Sequence, residues 1–436
     1  MKKINLLLLF LLPLAVKSQS GVLSLEEAIA TALKNNYDIQ LAKNDSAIAA
    51  LDYSYRNAAF LPRINATLGD NLTRNKQSQE FSNNTKREGS VKTNNLNSSV
   101  TLNWTLFDGL KMFATRDKAA ELFKLGALGI KEQIINTVAT VSNTYYAIVR
   151  EKQQLKAIEE QINLSAERVK LAQYKLDIGA GAKPDVLQSK VDNNGQRALQ
   201  LAQQAIITRL KDQLNQLMNV KDAAVYDVVD AISLNHQLTL LELQSGVEKT
   251  NPSLLITKKN IDIAQYTLKE RKAERFPTVS FNSAYNFSRT NNNVALNPAL
   301  PIFNQNRGFN YGITASIPIL NGFNTKRLIK QTELNIKYQH LLFETQKSLL
   351  HLSLANAYTS YQQQQKALQL EEENIVLAKE NVSIVFQVYK LNSSTFIQLK
   401  EAEKSLLDAQ TRLINARYTM KLAETELLRL KGEIMK

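Results

Sequence analysis

The chain spells out one order of residues twice, so any fold it adopts must hold two copies of a single unit. The first copy carries Asn36, then Phe60-Leu61-Pro62-Arg63-Ile64, then Trp104-Thr105-Leu106-Phe107-Asp108-Gly109. The second carries Asn251, then Arg275-Phe276-Pro277-Thr278-Val279, then Ile317-Pro318-Ile319-Leu320-Asn321-Gly322. Asn36 and Pro62 recur 215 residues on, whereas Gly109, Leu164, Gly179, Leu214 and Leu217 meet Gly322, Leu377, Asn392, Leu427 and Leu430 after 213. An offset that drifts so little across half a chain marks a duplicated structural unit.

Each copy reads helix, strand, polar segment, strand, long helix, turn, helix. The first helix is expected from about Leu25 to Ala58, and its counterpart from about Leu240 to Arg275. Both stop shortly before a proline, which cannot continue a helix and pushes its predecessor towards extended geometry. The period then changes to two. Ile64, Ala66, Leu68 and Leu72 alternate with Asn65, Thr67, Gly69 and Thr73, and Val100, Leu102, Trp104 and Leu106 with Thr101, Asn103 and Thr105. In the second copy Val279, Phe281, Tyr285 and Phe287 alternate with polar residues, as do Phe309, Tyr311, Ile313, Ala315, Ile317 and Ile319.

Strands of about ten residues with one apolar and one small polar face suit an outer-membrane barrel. The same alternation also fits a half-buried strand of a soluble sheet. The setting favours the barrel. The tracts Asn75 to Asn95 and Thr290 to Arg307 are strongly polar and read as long loops joining each pair of strands. Loops of that length are uncommon inside compact soluble domains but usual on outer-membrane barrels. Four strands cannot close a barrel, and open sheet edges are not tolerated in lipid, so several chains must share one barrel.

From about Met112 to Leu176 the pattern is helical, without proline and with only Gly126 and Gly129 as breakers. Some 65 such residues would reach nearly ~100 Å, so this helix must pack beside others. Returning helices are expected over Pro184 to Asn219 and about Phe396 to Lys431. The last has a heptad seam of Leu399, Ala402, Leu406, Ala409, Leu413, Ala416, Met420, Ala423, Leu427 and Leu430. A second stripe of Leu407, Ile414, Tyr418 and Leu422 gives it neighbours on both sides, as in a helical wall.

Met1-Lys2-Lys3, the apolar run Ile4 to Val16 and Lys17-Ser18-Gln19 read as a secretory leader cut near Gln19. The run is short for a spanning helix, which needs about 20 apolar residues. The expected division is a leader over 1–18, a first repeat over 19–219, a linker with short structure over 220–238 and a second repeat over 239–436. The absence of cysteine rules out disulfides, thiolate metal sites and a lipidated N-terminal cysteine. The formal charge is +14, or +11 without the three leader lysines. That balance could suggest nucleic acid, but an exported chain with cations scattered along helical faces points instead to solvated surface.

Further segments stand in a definite order along the chain: Leu23-Ser24-Leu25-Glu26-Glu27-Ala28 with Asn35-Asn36, Phe60-Leu61-Pro62, the turns Tyr174 to Leu187 and Tyr389 to Leu399, and Ala423-Glu424-Thr425-Glu426-Leu427-Leu428. With the strand exits at Asp108-Gly109 and Asn321-Gly322, the chain resembles TolC-type outer-membrane efflux channels almost end to end. The resemblance implies a mainly α protein with transmembrane β-strands, built from two tandem helix-strand-strand-helix-helix repeats. It further implies a homotrimer whose twelve-stranded barrel stands on a long α-helical barrel in the periplasm of a Gram-negative cell. Its partners would be outer-membrane lipid, a periplasmic adaptor and an inner-membrane transporter.

In that family the helix turns form the periplasmic tip, where the tunnel closes and the adaptor docks. Gly179 and Asn392 occupy the turn positions, and both residue types reach left-handed geometry at least cost. Family members often carry acids six and nine residues after the second turn; Gln398 and Glu401 stand there. Glu401 alone would form a threefold ring favouring cations, or would face Lys404. Tyr389 matches a latch tyrosine with Asp185 as its acidic partner, the alternative being that Asp185 caps the returning helix. His236, His340 and His351 lack metal spacing, and no phosphate loop or nucleophile constellation is present, so neither cofactor, metal nor catalysis is expected. The expected function is a passive exit duct fed by a partner pump. The outer-membrane duct of a type I protein secretion system and a soluble periplasmic coiled-coil scaffold remain alternatives.

Overall fold

The computed structural model describes residues 21–220, 226–234, 238–297, 299–391 and 393–434. The leader, part of the linker, His236 and Asn392 therefore lie outside the described residues. In chain order the elements are β1 (Val22–Leu23), α1 (Leu25–Asn35), α2 (Tyr37–Ser54), a 3-10 turn (Ala58–Phe60), β2 (Arg63–Glu80), β3 (Lys86–Phe107), α3 (Lys111–Asp177) and α4 (Lys183–Met218). There follow β4 (Asp227–Val228), α5 (Leu240–Gln244), α6 (Val247–Thr250), α7 (Pro252–Ala273), β5 (Thr278–Asn292), β6 (Phe303–Ser316), α8 (Asn324–Lys390) and α9 (Phe396–Lys431). The long helices α3 and α8 both have 67 residues, and the returning helices α4 and α9 both have 36.

The chain forms two compact units whose boundaries fall inside helices. One comprises Asn44–Gly129 and Leu254–Gln346. Its centre is an antiparallel sheet of order β2-β3-β5-β6. Pro62 and Pro277 stand just before β2 and β5. Cross-strand register puts Trp104 opposite Phe281 and Phe281 opposite Ile313, and aligns Val100, Tyr285 and Phe309 in the same way. These side chains share one exposed apolar face with Ile64, Leu68 and Leu72. The other face carries Asn, Ser and Thr, with Thr67 and Ser99 hydroxyls 2.8 Å apart and the Asn282 amide donating to Thr314 Oγ1 at 3.1 Å.

The first polar tract is not the long loop expected, and the second is a loop only over 293–302. β2 and β3 stay paired from Arg63–Asn103 up to Glu80–Lys86, leaving Phe81 to Thr85 as the turn, with Asn84 at φ 58°. β5 and β6 pair up to Asn291–Phe303. Composition misleads here because a sheet wetted on both faces needs no apolar face; pairing satisfies its backbone groups, and a short turn with left-handed Asn84 reverses the first hairpin. On the helical side, Lys118 pairs with Glu270 at 2.9 Å and Lys259 with Glu121 at 2.6 Å, fastening α3 to α7, and Lys111 pairs with Glu274 just past the α7 end at 3.0 Å.

The other unit comprises Met1–Lys43, Ile130–Ser253 and Lys347–Lys436. One core cluster joins Ala28 and Ala32 of α1, Val141, Tyr145, Ile148 and Val149 of α3, and Ile207, Leu214 and Met218 of α4. β1 pairs in parallel with β4, and the Tyr145 hydroxyl donates to Leu23 O at 2.8 Å beside that pair. The expected first helix of each repeat is broken. Asn36 interrupts the first: its Oδ1 accepts from Asp38 N and Ile39 N, and its Nδ2 donates to Leu217 O at 2.9 Å. Asn251 stands at the equivalent break and donates to Leu430 O at 2.9 Å. The asparagines, like the leucines whose carbonyls they bind, are repeat equivalents. In α9 the heptad seam is buried at Leu399, Ala402, Leu406, Ala409, Ala416, Met420, Leu427 and Leu430.

Candidate functional site

The turns between the paired long helices belong to one unit and lie close together. α3 ends in a Schellman motif: Gly179 has φ 74°, Gly179 N donates to Leu176 O at 3.0 Å, and Ala180 N to Lys175 O at 2.8 Å. In the second repeat Ser393 N donates to Val388 O at 3.1 Å, the matching long-span bond of the α8 end. Gly179 is exposed.

Between the turns lies a cavity of about 430 Å³ whose wall includes Lys175, Gly181, Asp185, Tyr389 and Phe396. Tyr389 is buried, and Lys175, four residues before Gly179, holds it from two directions. Lys175 Nζ donates to Tyr389 O at 2.7 Å and lies 3.6 Å from the centre of its ring. Burial raises the Tyr389 phenol above its usual range and the Asp185 charge adds to this. Burial also lowers the Lys175 ammonium, an effect that Asp185 opposes. Tyr389 and Asp185 thus share a cavity without a hydrogen bond between them. Asp185 does not cap α4: the cap position is Ala182, and Asp185 sits in the first turn behind Pro184, where an acid complements the helix dipole.

Gln398 is held locally. Its side-chain oxygen accepts from Thr395 N at 2.8 Å and Ser394 Oγ at 2.9 Å, while Gln398 N donates to Thr395 Oγ1 at 3.2 Å. This capping box explains why an amide serves at this position as well as an acid. Glu401 is exposed, makes no ion pair with Lys404 among the described residues, and lines a 540 Å³ groove with Ile384, Val385 and Val388.

A buried ionic cluster that the sequence reading missed lies between the same helices. Arg168 of α3 and Glu403 of α9 are each about 2 % exposed. Arg168 Nη1 is 2.9 Å from Glu403 Oε2, a charge contact without hydrogen-bond alignment, and Arg168 Nη2 is 3.1 Å from Asp192 of α4. Lys400 also reaches Asp192 at 3.0 Å, and Gln161 donates weakly to Glu403 at 3.5 Å. Burial holds the Glu403 carboxyl above its ordinary value, with Arg168 pulling the other way. Among the described residues no group of histidines and acids could hold a metal, and no helix is long and apolar enough to cross a membrane.

A family model described as outer membrane efflux protein matches residues 28–223 and 243–433, which is most of the chain. The chain belongs to the outer membrane efflux protein family. It is 23% identical to the outer membrane protein TolC of Vibrio cholerae, covering 97% of this chain and 95% of that one. It is 21% identical to the outer membrane efflux protein BepC of Brucella suis, covering 94% and 86%. Among solved structures the Campylobacter jejuni CmeC outer membrane channel superposes with a TM-score of 0.78 at 14% identity over 94% of this chain and 86% of that one. VceC of Vibrio cholerae gives 0.75 at 17% over 94% and 96%. The chain is accordingly an outer-membrane efflux channel of a Gram-negative cell, with the fold of that family.

Proposed function

We propose that three copies of the chain join their four-stranded sheets into one barrel, above a helical tunnel that receives substrates from an inner-membrane pump through a periplasmic adaptor. The open sheet carries this reading: it presents an apolar outer face while β2 and β6 each keep one edge free of any partner strand among the described residues. A membrane-embedded edge must be paired, and neighbouring copies supply the missing strands. The duct is passive, with energy supplied by the pump. Its two repeats, 19–219 and 239–436, follow the leader and flank the linker.

At the tip, the turns at positions Gly179 and Asn392 meet the adaptor. Tyr389 and Asp185 act with Lys175 to keep the helix ends together. Glu401 rings the bore three times and favours cations, and Gln398 secures the start of the helix that bears it. Removing the chain from its cell should raise sensitivity to the pump's toxic substrates, and supplying it again should restore tolerance. Unchanged tolerance with loss of an exported protein would assign the duct to a secretion system instead.

A further inference from the structure

On three strands the outer face passes from apolar to cationic, at positions that step along the register from β2 to β6: Arg74 pairs with Lys92, Arg289 with Leu96 and Gln305, and Arg307 with Phe287. In β2 the outward residues Ile64, Leu68 and Leu72 are followed two positions on by Arg74. In β5 Tyr285 and Phe287 are followed by Arg289, and in β6 the outward run Ile313, Tyr311 and Phe309 is followed by Arg307. β3 supplies Lys92, which register places directly opposite Arg74. The apolar run Ile64 to Leu72 spans nine residues, the length of a tilted strand crossing hydrocarbon. Each arginine stands two positions beyond the last outward apolar residue of its own strand, so the cations follow the edge of the apolar band, at the headgroup level. All four strands meet their helices at the opposite end of the sheet, the periplasmic end, so this rim lies in the outer leaflet.

The belt lacks compensation within the chain. Arg74, Lys92, Arg289 and Arg307 are exposed, and none of them takes part in an ion pair among the described residues. The acids in the four strands are Asp70, inside the apolar band, and Glu80 and Glu88 near the hairpin tip, where Glu80 faces Lys86. Arg289 lies 5.6 Å from the centre of the Phe303 ring, a contact that leaves its charge in place. Like charges directly opposite on neighbouring strands repel. The Arg74–Lys92 pair is thus a cost to the folded chain unless an anion sits over it.

We propose that this belt binds the phosphate groups of the outer-leaflet glycolipid, lipopolysaccharide, with Arg74 and Lys92 sharing one phosphate and Arg289 and Arg307 another. Guanidinium is suited to this role because its planar fork engages phosphate oxygens in pairs. The inference rests on the outer-membrane location and is independent of what passes through the duct.

The test uses the full chain purified in dodecyl maltoside and titrated with bisphosphorylated lipid A, with the same glycolipid stripped of phosphate, and with phosphatidylglycerol. The intact chain should prefer bisphosphorylated lipid A to both others. Combined Arg74→Gln, Arg289→Gln and Arg307→Gln should weaken that binding on the order of tenfold or more, given the attraction each cation contributes near an anionic surface. Lys86→Gln at the hairpin tip should leave it unchanged. Arg74→Gln alone, which relieves the repulsion, should keep or raise the melting temperature in lipid-free detergent. Equal binding of the phosphate-free glycolipid, equal binding of phosphatidylglycerol, full affinity in the triple variant, or a lowered melting temperature for Arg74→Gln would each overturn the proposal.

Discussion

Gly109 and Gly322 are repeat equivalents with left-handed backbones, at φ 71° and 62°, yet they have unequal surroundings. A Cβ on Gly109 would lie 2.4 Å from Ala273 O, whereas one on Gly322 would meet nothing within 4 Å. Gly322→Ala should therefore cost only the left-handed strain of about 1–2 kcal/mol, and Gly109→Ala should cost about 1–3 kcal/mol more from the clash with backbone. Denaturant unfolding of the two variants compares them directly, and equal losses would contradict this. The tip residues make a second prediction. Tyr389→Phe with Asp185→Asn should leave the closed channel unchanged if burial and Lys175 alone hold the ring, and should raise closed-state conductance if the two act as a latch. The proposed latch requires the increase.

Arg168 and Glu403 give a further comparison at this scale. Arg168→Met strands a buried carboxylate and should destabilise the helices by about 3–5 kcal/mol, whereas Arg168→Met with Glu403→Leu should recover most of that loss. The pH dependence has a definite sign. The folded chain holds the Glu403 proton above the ordinary carboxylate value of 4.5, so folding takes up a proton in the interval between the two values. The stability from this group is present at low pH and is lost as pH rises through the raised value. The stability of the intact chain relative to Glu403→Gln should thus grow on acidification from neutrality towards pH 4.5. A difference that is flat with pH would show that the carboxyl is not displaced.

At the scale of elements, the two asparagine breaks do the same work in each repeat. Asn36→Ala and Asn251→Ala each remove a bond to the closing helix, and cap bonds such as those from Asp38 N and Ile39 N to Asn36 go with it. Each should lower stability by about 1–2 kcal/mol, measured by loss of helical signal in denaturant. A large effect at one site and none at the other would break the symmetry. Neither break was legible in a helical period, because the partner carbonyls lie 181 and 179 residues away. Strand alternation and the α9 seam were legible, since each depends on near neighbours in one face. The upper halves of β2 and β3 were not, because Asn, Ser and Lys have low strand propensity until a neighbouring strand pairs with them. Lys175, Arg168 and Glu403 were missed for a related reason: a buried charge occupies a position that periodicity reads as solvent-facing.

At the scale of the molecule, duplication explains why one pattern yields four strands and two helical hairpins. The repeats diverge where they meet different surroundings. Gly109 is crowded and Gly322 open, and the first strand pair extends further than the second. The central claim is that a single chain cannot seal its own sheet and that three copies form a conducting pore. Native mass spectrometry of the full chain released from detergent, with the same preparation inserted into a planar bilayer, tests it most directly. Particles containing three chains, together with discrete conductance steps, are expected. A monomer that stays soluble without detergent and leaves the bilayer silent would contradict the account.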